Sequence, residues 1–366
     1  MSCAAARSRA ELKVLSERFA AQLLSGPPAR TAGEVTGRLL AVQAQDPRGA
    51  RLAVRARSAG LRAADIDRGL TAERSLVVTW LNRGTLHMVR SEDYWWMHGL
   101  MSPRVLTGNA RRLAQEGVPP DSADRAVAVI ERSLAEDGPL TRGQLAERIA
   151  AAGVRTEGQA IVHILVLASL RGAAVRGPVT GGPASPEQAY VLVRDWLGPP
   201  PAPVDHDTAL ARLARRYLAG HGPATDRDLA KWSGLPLRDA RRGFAEIAAE
   251  LDQPDGPSQL TRLTRPARQS HGAKQAALPP PLLLGAFDPL LLGWASREPY
   301  VGAHQGIVTV NGIFRPFALV QGRAVATWTV VRGEVRLNPF TSLTETDQAA
   351  LDREAGDVKR FLRHTG

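Results

Sequence analysis

The sequence predicts an α+β fold, mainly α, with three tandem winged-helix domains followed by a C-terminal antiparallel β-element. Three observations predict it. First, the frame Gly-Pro-x-Thr-x-x-x-Leu-Ala occurs at residues 138–146 and again at 222–230, 84 positions apart. Copies that far apart mean duplicated units rather than a solenoid, whose period is shorter. Second, each copy opens the middle helix of a three-helix run, and strand-like stretches follow the first run. Third, residues 306–337 read as strands broken by Asn311-Gly312, Gln321-Gly322-Arg323 and Arg332-Gly333-Glu334.

The elements follow in order. Helices are expected at 9–24, 32–43 and 49–59, with a short one near 63–70. Strands at 76–81 and 85–89 flank Asn82-Arg83-Gly84, a plausible hairpin turn. A fainter third copy of the frame, Gly26-Pro27-Pro28-Ala29-Arg30-Thr31, precedes the second helix. Thr141 and Thr225 read as helix N-caps, with the proline two residues upstream fixing the entry. Long helices precede them at 123–135 and 205–218, and others follow at 159–170 and 237–251. Strands at 173–176 and 190–193 complete the first copy. Helix, helix, helix, β-hairpin is the order of a winged helix. The expected domains are therefore 1–118, 119–203, 204–257 (the core of the third winged helix) and 258–366. The last holds strands at 306–310, 317–320, 324–331 and 335–337, then a helix at Glu345–Leu362. Residues 259–281 carry Arg262, Arg265, Arg268, His271 and Lys274 and are expected extended and exposed.

Composition narrows the function. Of 366 residues, 47 are basic and 36 acidic, leaving a net charge of +11. Only Lys13, Lys231, Lys274 and Lys359 are lysines. A GC-rich genome accounts for arginine over lysine but not for the surplus, which favours a polyanionic partner. No apolar run is long enough to span a bilayer. Glu11, Lys13, Glu17 and Arg18 interrupt any signal-peptide core, so a cytoplasmic protein is expected. The single cysteine, Cys3, excludes a disulfide framework and every CxxC zinc site. No HExxH, GxGxxG, GxxxxGK[ST] or GxSxG motif occurs. No metal or other cofactor is expected.

Gln43 and Gln45 lie two apart at the end of an apolar helix, followed by Asp46-Pro47-Arg48. On a helix such neighbours diverge, and a residue before proline is biased out of the helical region. Two readings stand. The amides cap the helix end, or the backbone leaves the helix near Gln43 and both face one cavity.

The sequence resembles the crosslink-repair DNA glycosylases of the AlkZ/YcaQ type over nearly its whole length. The resemblance is carried by Val42-Gln43-Ala44-Gln45-Asp46-Pro47, by residues 79–89 (TWLNRGTLHMV), by residues 284–294 (LGAFDPLLLGW) and by Asn311-Gly312-x-x-Arg315-Pro316 with the residues that follow to Trp328. It implies that Gln43-Ala44-Gln45 is the catalytic Gln-apolar-Gln signature of the AlkZ branch. It also implies a monofunctional glycosylase that hydrolyses the N-glycosidic bond of cationic N7-alkylated guanine, including interstrand crosslinks and bulky monoadducts. That branch is associated with self-resistance to alkylating natural products such as azinomycin.

The chemistry is coherent on its own terms. A cationic base is already activated as a leaving group. What remains is to hold a water beneath C1′ and to stabilise an oxocarbenium-like sugar, which neutral amides can do. The expected partner is double-stranded DNA, bound by a monomer associated with the nucleoid. Candidate phosphate contacts are Arg48, Arg51, Arg55 and Arg57, then Arg262, Arg265, Arg268 and Lys274. Asn311 and Arg315 flank a hairpin expected to probe the duplex. His87 reads as a core histidine, and Asp288 as structural. The alternative is a non-enzymatic winged-helix transcriptional regulator, which would bind one operator and release no base.

Overall fold

A computed structural model describes residues 7–181, 187–252, 260–264, 277–302, 304, 306–309 and 311–362. The chain begins with α1 (Arg9–Ala21), α2 (Ala32–Leu39), the short strand β1 (Val42–Gln43), α3 (Pro47–Arg55) and α4 (Ala63–Thr71). The hairpin β2 (Leu76–Trp80) and β3 (Leu86–Arg90) leads into α5 (Ser91–Gln115). Then come α6 (Pro120–Asp137), α7 (Arg142–Ala151), α8 (Ala160–Leu170), β4 (Ala174–Thr180), β5 (Glu187–Leu192) and α9 (Val193–Leu197). A second such series is α10 (His206–His221), α11 (Asp226–Ser233), α12 (Leu237–Glu246), β6 (Leu251–Asp252) and β7 (Arg262–Leu263). The chain closes with β8 (Leu282–Leu284), the single-turn α13 (Glu298–Val301), β9 (Phe317–Val320), β10 (Arg323–Val331), β11 (Glu334–Pro339) and α14 (Glu345–Leu362). The fold is mainly helical with antiparallel sheets.

The repeated frame is a helix-start device. Thr141 Oγ1 accepts from the Gln144 amide at 3.3 Å, and Gln144 Oε1 accepts from the Thr141 amide at 2.9 Å. Thr225 and Asp228 make the same reciprocal pair at 3.1 and 2.9 Å. Thr31 caps α2 through the Glu34 amide. Each cap satisfies donors that the first turn would leave open, worth about 1 kcal/mol.

The chain forms two compact units. The first comprises Met1–Ala63, Leu210–Trp232 and Pro236–Arg363. Its main sheet has the order β11-β10-β9-β8, antiparallel throughout. β10 buries Ala324, Ala326 and Trp328 alternately, and the Trp328 indole donates to the Leu284 carbonyl at 2.9 Å. Helix α14 buries Leu351, Val358 and Phe361.

The second unit comprises Ala64–Ala209 and Ser233–Leu235, with His364–Gly366 beyond the described residues. Within it the strands run β3-β2-β4-β5. All five residues of β2 are buried. Helix α8 is apolar all round and buries nine of its residues, as a central helix must. The span expected as a first winged helix, 1–118, is divided between the two units.

Several sequence expectations need correction: the helix expected at 237–251 ends at Glu246, and the one at 9–24 ends at Ala21. Residues 306–309 are not a strand: they contribute one bridge, Val308 to Phe314, and Val310 lies outside the described residues. Helix α2 stops at Leu39, four residues before the expected end. The sequence places Trp95-Trp96 on a helix but gives no bounds for the 25-residue α5; Pro103 inside it, with Gly99 and Gly108, interrupts the periodic signal.

Candidate active site

Helix α2 ends because Leu40 takes φ 65° and ψ −43°. A branched, wholly buried leucine at positive φ is a strained conformation that the surrounding core must impose. The chain then runs extended through Val42 and Gln43. In extended backbone, residues two apart fall on one side of the chain. Leaving the helix at Leu40 thus removes the helical geometry at positions 43 and 45, although the strand ends at Gln43 and Gln45 stands at a bend. Gln43 is 6% exposed, and Gln45 is exposed.

Asp46 follows at once as the N-cap of α3. Its Oδ1 accepts from the Arg48 and Gly49 amides, both at 2.9 Å, with Pro47 at the first helical position. The Gln-Ala-Gln segment is therefore pinned between a strained turn and a capped helix.

Helix α3 is clamped in the first unit by residues 282–291. A Cβ on Gly49 would collide with the Ala286 carbonyl, and one on Gly285 would meet Leu52 Cβ at 2.9 Å. Two backbones meet where only glycine fits, which gives Gly285 in the Leu-Gly-Ala-Phe-Asp-Pro stretch a physical reason. Asp288 takes both nitrogens of the Arg57 fork at 2.8 and 2.9 Å, and both side chains are wholly buried. Arg57 also donates to Gln22 Oε1 at 2.9 Å, while Asp288 Oδ1 accepts from the Leu290 amide. His221 lies at the same cluster. Burial lowers its pKa to about 3, and the Arg57 and Arg18 charges push the same way.

The structure redistributes the candidate DNA contacts. Arg48 is exposed, and Arg51 is half-buried with a bond to the Pro47 carbonyl. Asn311 and Arg315 are exposed at a tight turn. There the Thr309 amide donates to the Ile313 carbonyl, the Arg315 amide donates to the Ile307 carbonyl, and Gly312 has φ 73°. Arg55 is corrected: it is 5% exposed and spent on Glu354, Asp357 and the Leu283 carbonyl. Arg57 is corrected likewise by its pair with Asp288. Arg262 is neutralised by Glu17 and Asp252 at 2.8 Å each, which makes it a poor phosphate ligand. Arg265, Arg268 and Lys274 lie outside the described residues. The sequence offered no signal for the Arg57–Asp288 pair, whose members are 231 positions apart.

In the second unit His87 is 2% exposed, and its Nδ1 is 2.9 Å from the Thr85 carbonyl. Burial, then the charge of Arg83, lowers its pKa to about 3. It is a neutral core histidine. Among the described residues no group of His, Cys, Asp or Glu could hold a metal ion, and no helix is long and apolar enough to cross a membrane.

Comparison with known proteins gives the class of this helical, sheet-bearing chain: it is a DNA glycosylase, an enzyme whose substrate is DNA. The chain belongs to the family described as DNA glycosylase AlkZ-like, whose model matches residues 36–361. It is 29% identical over 372 aligned residues to an interstrand DNA cross-link repair glycosylase of Streptomyces sahachiroi, covering 95% of each chain. The solved structure of the Streptomyces sahachiroi DNA glycosylase AlkZ superposes with a TM-score of 0.78 at 25% identity, covering 98% of this chain and 97% of that one. Family membership sets aside the regulator alternative.

Proposed function

We propose that the protein is a monofunctional glycosylase that hydrolyses the N-glycosidic bond of cationic N7-alkylated guanine in double-stranded DNA. Interstrand crosslinks and bulky monoadducts are both substrates on this reading, and the role is self-resistance to an alkylating natural product such as azinomycin. The observation that carries it is the Gln43-Ala44-Gln45 segment, which leaves the short strand at Gln43 and bends at Gln45, pinned between Leu40 and the Asp46 cap, in a chain of this family.

The bond from C1′ to the base breaks, and its electron pair neutralises the cationic ring, so no acid is needed. Gln43 holds the attacking water through its carbonyl. Gln45 orients the water or turns its amide dipole toward the cationic sugar. The water oxygen bonds C1′ and its proton passes to solvent, leaving an abasic site. An amide is too weak a base for uncharged lesions. Strand cleavage would need an amine for a Schiff base, and none of the four lysines is near Gln43 in sequence.

Arg48, Arg51, Asn311 and Arg315 are proposed DNA contacts, as are Arg265, Arg268 and Lys274, which lie outside the described residues. The divisions at 118, 203 and 257 are proposed as the limits of the winged-helix modules. The protein is proposed to act as a cytoplasmic, nucleoid-associated monomer. Release of 7-methylguanine from methylated DNA, read as alkali-labile sites, tests the activity. Wild-type rates in both Gln43→Ala and Gln45→Ala would remove the catalytic assignment.

A further inference from the structure

The second unit holds a cavity of about 540 Å³ that the proposed chemistry does not use. Arg83, from the turn between β2 and β3, and Arg104 and Arg112, from α5, line it over an apolar floor of Leu81, Met101 and Val166. None of its lining residues is acidic. Arg104 is exposed, and among the described residues no carboxylate pairs with it. Arg112 bonds only the neutral Gln115 amide, at 3.1 Å. Two cations in the cavity wall, Arg104 and Arg112, that no acid balances favour an anion.

The wall is built rather than incidental. Arg83 stands at φ 57° and ψ 14°, the left-handed region that residues other than glycine seldom enter and that recurs at ligand sites. Gly234, itself at φ 80°, packs on it so closely that a Cβ would lie 3.0 Å from the Arg83 nitrogen. On the far side Asn109 and His163 lock each other. The Asn109 amide donates to the His163 carbonyl, and His163 Nδ1 lies against Asn109 Oδ1, both at 3.0 Å.

We propose that this cavity seats a sugar–phosphate unit of a DNA strand, with the phosphodiester on Arg104 and Arg112 and the deoxyribose on the apolar floor. An arginine fork matches two phosphate oxygens at once, and contacts of this kind set register without reading sequence. The inference rests on DNA being the substrate and not on the roles given to Gln43 and Gln45.

Anisotropy of a labelled, undamaged duplex titrated with the full chain at several salt concentrations tests it, because no base is released there. Arg104→Gln should weaken binding about 3- to 10-fold and reduce the slope of log K against log salt by about one. Arg104→Glu should weaken it further, and Arg112→Gln should behave like Arg104→Gln. Arg132→Gln, on the exposed face of α6 away from the cavity, is the control and should match wild type. Circular dichroism melts establish that each variant is folded. Affinity and slope equal to wild type in all three cavity variants would overturn the proposal. So would stabilisation of wild type by inorganic phosphate that Arg104→Gln abolishes while duplex affinity stays unchanged, since the cavity would then serve a free anion.

Discussion

The two ends of α3 use the same residue types for opposite ends. At its start the chain presents Gln45 and Arg48 to solvent, beside the nearly buried Gln43. At its finish Arg55 and Arg57 point inward and are consumed by Glu354, Asp357 and Asp288. One end is kept available, and the other is anchored. The difference lies in what the rest of the first unit brings alongside, since arginines occur at both ends. A surface for DNA can be read from basic residues only after the paired ones are removed.

The anchored end should break first. Asp288→Ala strands a wholly buried guanidinium, and the cost is about 3–5 kcal/mol, a drop in Tm on the order of 10 °C. Thermal melts measure it. Replacing both partners with apolar residues, Arg57→Met with Asp288→Leu, should recover most of the loss; a double variant no better than the single would mean that Gln22 and His221 depend on the charge pair.

The available end should fail in rate and not in stability. Gln43→Ala is expected to slow single-turnover base release about 100- to 1000-fold, the range for losing one preorganised polar group, with an unchanged melt. A melt that falls as far as the rate would assign Gln43 to the fold.

Acid sharpens the contrast. His221 is neutral in the fold, with a pKa near 3, whereas an unfolded histidine titrates near 6.5. The unfolded chain therefore binds the proton first. The contribution is complete above about pH 6.5 and is lost as pH falls toward 3, by at most about 1.4 kcal/mol per pH unit. Melts between pH 7.5 and 5 should show a shallower decline in His221→Asn than in wild type; equal slopes would discount it. His87 adds a decline of the same sign from the second unit.

The smallest effect separates the two arginine classes. Arg48→Gln should weaken duplex binding about two- to threefold and lower its salt slope without moving Tm. Arg55→Gln should lower Tm and leave the salt slope alone. Anisotropy and melts on both variants decide between phosphate contact and structural tie.

Local rules made much of this legible. Thr31, Thr141 and Thr225 announce their helices because a cap acts over three residues. The bounds of α14 match the expectation, and the Asn311-Gly312 turn is where its dipeptide places it. Long-range facts were not legible. The pattern Leu39-Leu40-Ala41-Val42 continues an apolar helix face, and nothing local reveals that Leu40 turns left-handed in the core. Arg57 is one arginine among many until Asp288 is beside it. The cavity of the second unit draws on residues from four separate stretches of chain, which periodicity cannot join.

Leu40 has a final consequence. Its inverted backbone is wholly buried, so the bearing of the glutamine pair is inherited from the interior before any substrate arrives. On the proposed assignment, aim and packing are one property. Substitutions that slacken the neighbourhood of this leucine would blunt turnover at temperatures where the molecule still melts normally.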